Sequence, residues 1–480
     1  MDNCTVHNVS GDEIIFKTFS TYKHHYIYDR HTDAIIRLPV NEYNEMQLIE
    51  KGELQTKESA VFFKLAKLGL LEPNIIEKIE HPSSMIIEQH LKTRIKQLIL
   101  QVTQECNLRC KYCVYSGEYK GFRKHSNHRM SFETAKKAID FFIKCSSEIT
   151  DGVISFYGGE PLLEFDLIKK CVEYTKSRIE GKRIAFYITT NGTLLTDEIA
   201  DYLVFNNFSS SISIDGSKEE HDKNRVFMNG KGSFDAIMDN IKRIKARYPD
   251  YMKMINIMTT VNPHVDLSCV LEYFSSEEIL DDKRVIFNTL SEIGYRETLN
   301  YDEQYYIIRN YEYIKMLFSL IDKIDNKYVS TLVIQSRGNI SANRKAISKH
   351  MEMLPVMHHA GPCKAGVQRL FVRIDGSLFP CERVNEQLEY FKIGTLKDGF
   401  DLSKILNIIN IGNLSQNECK RCWLLRRCSL CAGQMEFDSE PNRNDKLSIC
   451  PQMENTILQN LYELCVLDEF GFRSDEIIKI

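Results

Sequence analysis

Cys106, Cys110 and Cys113 stand in the run CNLRCKYC, a CxxxCxxC spacing placed directly after the strand-like segment IKQLILQVT. A [4Fe–4S] cubane has four irons, and ligation by protein alone takes four thiolates. This run offers three, which leaves one iron open to a ligand that is not protein. An incompletely ligated cluster at a strand end is a reactive centre rather than a brace. A zinc knot is the competing reading, but zinc sites favour paired CxxC units and four ligands. Four more elements follow in order: FYGGEPLL from Phe156 to Leu163, TTNGT from Thr189 to Thr193, SISIDG from Ser211 to Gly216, and HDKNR ending at Arg225. Adjacent glycines let a backbone approach a ligand closely, and arginine offers a planar fork for a carboxylate. Taken alone, the glycine pair is also a turn and Arg225 a surface charge.

A second cysteine set begins after Gly361. Cys363 and Cys381 precede the dense array ECKRCWLLRRCSLC, which holds Cys419, Cys422, Cys428 and Cys431 as CxxC-x5-CxxC, and Cys450 lies further on. Two fully ligated cubanes need eight thiolates, and this region supplies seven cysteines. An odd seventh ligand suits two tetrahedral zincs poorly.

The five elements of the first region, in this order and spacing, resemble those of the radical S-adenosylmethionine (SAM) enzymes. In that family the amino and carboxylate groups of SAM bind the open iron, and one-electron reduction cleaves the sulfonium to a 5′-deoxyadenosyl radical. The resemblance implies that Glu160 and the backbone around Gly158 and Gly159 receive the SAM amine, and that Ser213 and Arg225 hold its carboxylate and ribose. Tyr112 would pack near the adenine, with Pro161, Thr190, Asn191 and Asp215 completing the SAM-binding set. The C-terminal array resembles the SPASM extension of these enzymes, which carries two auxiliary [4Fe–4S] clusters. By that resemblance Cys419, Cys422, Cys428 and Cys450 complete an outer cluster, while Cys363, Cys381 and Cys431 hold an inner one. The last close pair is CxxC here where the family usually has CxxxC. Sulfatase-activating relatives carry an extra cysteine shortly after the first, whereas KAGVQRLFVRIDGSLF has none. The inner cluster is therefore expected to keep one iron free, for a non-cysteine ligand or for a substrate thiolate.

Composition sets the frame. A chain of 480 residues implies two to four domains, and 43% hydrophobic with 27% charged residues is ordinary for a globular protein. A net charge of −4 points to neither nucleic acid nor a basic membrane patch. The start MDNCTVHNVSGDEII lacks the positive, apolar layout of a signal peptide, and no apolar run is long enough to span a bilayer. A cytoplasmic protein is expected. Fifteen cysteines there argue for metal ligation rather than disulfides. Cys145 and Cys171 sit on apolar helical faces and read as core; Cys4 and Cys465 stay unassigned.

From Leu91 onward, strand-like runs (IKQLILQVT, VISFYG, AFYITT, SSSISI, NIMTTV, VIFN) alternate with amphipathic helices such as SFETAKKAIDFFIK and SFDAIMDNIKRIKARY. Both helices open with a serine suited to capping. Six β-α units predict an α/β fold with a parallel sheet, an open (β/α)6 partial barrel of TIM type. Residues 1–88 predict three strands and two helices, with Val61, Leu65 and Leu68 as an apolar stripe. They are similar to the winged-helix-like element that binds leader peptides in ribosomal natural-product pathways, where a peptide adds as a strand; a packing cap is the alternative. The expected layout is residues 1–88 for this unit, 89–301 for the barrel, 302–360 for a helical bridge, 361–455 for the SPASM domain and 456–480 for a terminal helix. Together these parts point to a peptide maturase with three [4Fe–4S] clusters and SAM. It would link cysteine sulfur to carbon in a ribosomal precursor peptide with a leader and a cysteine-containing core, supplied with electrons by a flavodoxin- or ferredoxin-like reductant. Carbon–carbon cross-linking and formylglycine formation are the alternatives. No residue stands out as a general base.

Overall fold

The protein is seen in a computed structural model that describes residues 13–472 except 180, 264, 281–284 and 348–352, together with 477–479. Cys4 and most of the amino-terminal run lie outside the described residues.

Strands β1 (Phe16–Ser20), β2 (His25–Asp29) and β3 (Ala34–Leu38) form an antiparallel sheet. Alternation along β3 decides what each face meets. Ala34, Ile36 and Leu38 pack with Tyr43, Met46 and Ile49 of the helix Val40–Glu50 and with Val61 and Leu65 of the helix Ala60–Ala66. Ile35, with Tyr26 and Tyr28 of β2, faces the main core of the molecule. The expected stripe is cut short: the second helix ends at Ala66, Leu68 is 59% exposed, and Leu70 and Leu71 are buried in its place. The chain reverses through Gly69 at φ +74°, so the apolar contact comes from beyond the turn.

Two residues of β4 (Lys78–Ile79) pair with β11 (Val356–Met357). The barrel sheet follows as β5 (Gln97–Thr103), β6 (Asp151–Gly158), β7 (Arg183–Thr190), β8 (Ser209–Ser213), β9 (Ile255–Val261) and β10 (Val285–Thr289), all parallel and in sequence order. Beyond β5 the sheet continues through β12 (Leu370–Val372), parallel, and then β13 (Ser377–Phe379), β14 (Gly394–Thr395) and β15 (Gly399–Phe400), antiparallel. The buried run Leu98, Ile99, Leu100, Val102 on β5 is what a parallel strand covered on both faces requires. A helix follows each barrel strand. The sixth is Glu303–Leu320, whose Tyr305 packs on Leu267 and Leu271 of the preceding helix, so the start of the expected bridge serves as the barrel's last crossover helix.

Ser131 caps its helix as expected, accepting from the Thr134 N–H at 3.1 Å. Ser233 does not. Its hydroxyl is engaged by His221 and by the Arg225 carbonyl, and Asp222 takes the Phe234 N–H at 3.0 Å instead. The terminal helix runs Cys450–Glu469, started by Pro451 in its first turn and followed by Gly471 at φ +93°. The residues Ile477–Lys479, expected to be helical, form strand β16, parallel to β3. Among the described residues no helix is long and apolar enough to cross a membrane.

Candidate active site

The ends of four consecutive strands bring the sequence motifs to one place. Thr103 ends β5 just before Cys106, Gly158 ends β6, Thr190 ends β7 and Ser213 ends β8. A cavity of about 180 Å³ opens between them, lined by Cys106, Cys110, Cys113, Tyr112, Gly158, Gly159, Thr190, Asn191, Ser213 and Arg225. Glu160 and Asp215, expected in the same set, lie behind this lining and brace it; Pro161 is buried at the start of the turn Pro161–Glu164 and is not among the lining residues.

Glycine is required at the β5–β6 junction. A Cβ on Gly158 would stand 2.1 Å from the Thr103 carbonyl oxygen, and one on Gly159 would stand 2.0 Å from that of Glu105. This closeness allows Gly159 N–H to donate to Thr103 at 3.0 Å and Glu160 N–H to Glu105 at 2.9 Å. The glycine strap is thus sewn to the residues that introduce Cys106. The Glu160 carboxylate accepts from Leu162 N–H (3.0 Å), the Thr190 hydroxyl (2.7 Å) and Asn191 N–H (2.7 Å). Burial pushes it up to about 7 despite those three bonds. Asn191 in turn reaches Asn107 at 2.8 Å and the Cys106 sulfur at 3.9 Å.

On the other wall Asp215, fully buried, accepts from Arg225 Nε at 2.9 Å, from Thr260 N–H at 3.0 Å and from the Tyr112 hydroxyl. Burial alone would lower the Arg225 guanidinium, but Asp215, Tyr112 and Cys110 together outweigh this and hold it charged. Arg225 lies 5.4 Å from the Tyr112 ring centroid, a cation–π contact within the cavity wall. His221 Nδ1 accepts the Asp215 N–H at 3.2 Å, and its Nε2 therefore donates to Ser233, whose hydroxyl reaches the Arg225 carbonyl. Burial pushes His221 down to about 4, so this relay runs through a neutral ring.

The three thiols fit an iron–sulfur cluster. All are free and border one cavity. Burial pushes Cys106 up to about 12 and Cys110 up to about 11, and raises Cys113 as well, so the bare thiols resist ionisation. Iron would supply positive charge beyond what Arg109, Arg123 and Arg225 already bring near Cys113. Among the described residues no three His, Cys, Asp or Glu side chains stand close enough to hold a single metal ion. Cubane thiolates bind separate irons and stand farther apart than the ligands of one ion.

In the second cysteine set, burial raises the Cys363 thiol and Cys431 adds to the rise, while burial raises Cys381 to about 11 with Glu382 and then Cys363 adding to it. Gly361 makes this approach possible, since a Cβ there would lie 1.9 Å from the Leu430 carbonyl oxygen. Cys428 is coupled to Cys419, and the Cys450 thiol points to the Lys446 carbonyl at 3.8 Å. Sequence reasoning missed several neighbours. Lys446 is 2% exposed, with its ammonium 3.0 Å from the Cys419 sulfur and 2.6 Å from the Ser415 hydroxyl. Its position four residues before Cys450, one helical turn, was the available signal. Gln101 donates to Glu386 at 2.7 Å, Glu386 pairs with buried Arg123, and Arg123 lies 3.5 Å from the Tyr115 ring centroid. This buried chain ties the first cysteine loop to the segment after Cys381, and no spacing announces it.

The Radical SAM superfamily model matches residues 100–272. The chain is a radical SAM enzyme. The cysteine-type anaerobic sulfatase-maturating enzyme of Clostridium novyi (strain NT) is 28% identical over 398 residues, covering 77% of this chain and 96% of that protein. The radical SAM cyclopropyl synthase TigE of Paramaledivibacter caminithermalis is 26% identical over 420 residues, 83% of this chain and 81% of that one. Among solved structures, native anSMEcpe with bound AdoMet superposes with a TM-score of 0.53 at 21% identity, over 78% of this chain and 99% of that chain, a likeness of fold. Radical SAM enzymes use SAM and a [4Fe–4S] cluster. Cys106, Cys110 and Cys113, lining the cavity at the strand ends, suit that cluster in this radical SAM enzyme.

Proposed function

We propose that this radical SAM enzyme installs thioether links in a cysteine-containing ribosomal precursor peptide, using two auxiliary clusters besides the SAM cluster. The observation that carries the reading is the trio Cys363, Cys381 and Cys431, in which Cys363 lies near enough to feel Cys431 and Cys381 near enough to feel Cys363, one thiolate short of a full cubane set. When bound, SAM with its cluster supplies hydrogen-atom abstraction, and the auxiliary clusters supply an iron for a substrate thiolate and an electron sink. Forming the carbon–sulfur bond removes a hydrogen atom from carbon, a proton from the thiol and one electron, and an external reductant starts the cycle. Arg225, kept charged by Asp215, and Tyr112 hold one side of the SAM site, while the glycine strap with Thr190 and Asn191 holds the other. Cys419, Cys422, Cys428 and Cys450 hold the outer cluster, beside the Lys446 ammonium. The N-terminal unit would bind the leader.

Coexpression with a short cysteine-containing reading frame beside its gene tests this. The expected product has lost two hydrogens with all its sulfur retained, and Cys363→Ala keeps 5′-deoxyadenosine formation while losing that product. The cover of the sulfatase-maturating relative favours a second reading, formylglycine formation. A product that has lost sulfur would establish that reading and overturn ours. Iron analysis of reconstituted enzyme should give about twelve irons for three cubanes; about eight would remove one auxiliary cluster.

A further inference from the structure

The short strand β11 runs into His358 and His359, whose rings lie against each other with centroids 4.2 Å apart. His358 is fully engaged. Its Nε2 accepts the Gly412 N–H at 2.9 Å, so Nδ1 carries the proton and donates to the His359 carbonyl at 2.9 Å. Gly412 allows this approach, since a Cβ there would stand 2.5 Å from that Nε2. His359 is 2% exposed, and neither of its ring nitrogens has a hydrogen-bond partner. Burial, with His358 and Lys446 adding to it, holds the imidazole well below its ordinary pKa and therefore neutral. A neutral imidazole carries one N–H in either tautomer. A buried donor is thus left without an acceptor, which proteins rarely tolerate.

The surroundings of that ring belong to the second cysteine set. Gly361, two residues on, lies hard against the Leu430 carbonyl, and the Cys428 backbone is close enough to act on the ring. Lys446, whose charge also reaches the ring, has its ammonium 3.0 Å from the Cys419 sulfur. Cys419 and Cys428 are two of the four thiols read above as the ligands of the outer cluster. With Cys422 and Cys450 they satisfy all four irons, so no iron is left for an imidazole nitrogen. The sulfurs of a cluster, in contrast, accept hydrogen bonds, and such bonds help to set its potential.

We propose that His359 tunes the outer auxiliary cluster, its ring N–H donating to one of the cluster's sulfurs. The inference rests on the reading of two auxiliary clusters and holds whichever peptide product is made. It adds the residue that makes one of them the easier to reduce. A donor stabilises the reduced, more negative cluster, which suits an electron sink. His358 serves as the support: both its nitrogens are committed elsewhere, so it packs against the His359 ring without taking its proton.

The test is an anaerobic redox titration of the reconstituted full chain, followed by electron paramagnetic resonance, with iron counted in every sample. His359→Phe keeps a buried ring and removes the donor. Loss of one hydrogen bond to a charged group should shift the reduction equilibrium of one auxiliary cluster about tenfold toward its oxidised form, about 59 mV to lower potential. The signal that moves should be the one that Lys446→Met moves. His359→Asn and His359→Gln put an amide N–H within the reach of Nδ1 and Nε2, and one of the two should restore the parent potential. In enzyme grown on histidine labelled with heavy nitrogen, the same signal should show a weak nitrogen coupling that His359→Gln abolishes. That coupling is read on the unaltered chain, so it decides the question even where His359→Phe costs the cluster. An iron-replete His359→Phe enzyme with unchanged potential, no coupling in the unaltered enzyme, or the strong coupling of a nitrogen bound to iron would overturn the inference and leave the thioether assay untouched. Absence of the signal from an unaltered enzyme holding about eight irons would overturn the reading of two auxiliary clusters and this inference with it.

Discussion

Gly159→Ala is the sharpest single perturbation of the site. The added Cβ would lie 2.0 Å from the Glu105 carbonyl oxygen, 2.4 Å from its carbon and 3.0 Å from the Cys106 nitrogen. Carbon–oxygen contacts close no nearer than about 3.3 Å, so the strap and the cysteine loop must separate by about 1.3 Å. All three obstacles are backbone, and no side chain can swing away to relieve them. Separation on that scale breaks the 2.9 Å bond from Glu160 N–H to Glu105 and carries Cys106 with it. Overpacking of this kind costs about 1–3 kcal/mol of stability. A misplacement near 1 Å costs reactivity on the order of 10²-fold. The assay is 5′-deoxyadenosine formation by anaerobically reconstituted enzyme, read beside iron per chain and the thermal midpoint. The rate should fall by about two orders of magnitude, with a far smaller loss of stability. Gly338→Ala is the control, because Gly338 lies in the helix Ile334–Ile347 with nothing within 4 Å of the added carbon. It should stabilise by about 0.5–1 kcal/mol and leave the rate alone. A near-native rate for Gly159→Ala would refute the claim that the strap positions Cys106.

Asp215→Asn strips the charge from the partner of buried Arg225 and should destabilise by about 3–5 kcal/mol. The double variant with Arg225→Gln should lose less stability than the single one in thermal denaturation; an unchanged midpoint for Asp215→Asn would contradict the bracing role. His221 is held near 4 by burial, below its ordinary 6.5, so the unfolded chain binds more protons between those values. Its contribution is complete above pH 6.5 and is lost as pH falls toward 4, amounting to about 3 kcal/mol. His221→Asn should flatten the fall of the thermal midpoint over that range. Lys446→Met removes an ammonium that touches the Cys419 sulfur. A nearby positive charge favours the reduced, more negative cluster, so redox titration followed by electron paramagnetic resonance should show one auxiliary signal moving to lower potential. A signal that stays put would separate Lys446 from the outer cluster.

Much of this protein was legible before folding. Cys106, Cys110 and Cys113 are recognisable because one short loop holds all three, so their spacing is itself the geometry. Strand β5 is legible because a parallel strand buried on both faces is largely apolar, as Leu98, Ile99, Leu100 and Val102 are. Local pattern failed where a distant group made a better offer. Ser233 looked like a helix cap, yet buried His221 and the Arg225 carbonyl claim its hydroxyl. Leu68 kept helical spacing, but the helix ended before it and Leu70 and Leu71 took the buried places.

Residue type and spacing alone determined that three thiols would share a loop at a strand end and that four cysteines would crowd the short run from Cys419 to Cys431. Those are properties of neighbours along the backbone, where distance is set by covalent geometry. Tertiary structure alone decided that Asp215 stands behind Arg225 and Tyr112, that Lys446 meets the sulfur of Cys419, and that Ile477–Lys479 closes the sheet begun at Phe16. Contacts of that kind depend on which buried groups and open strand edges remain unsatisfied once the core has formed, and no stretch of sequence carries that information by itself.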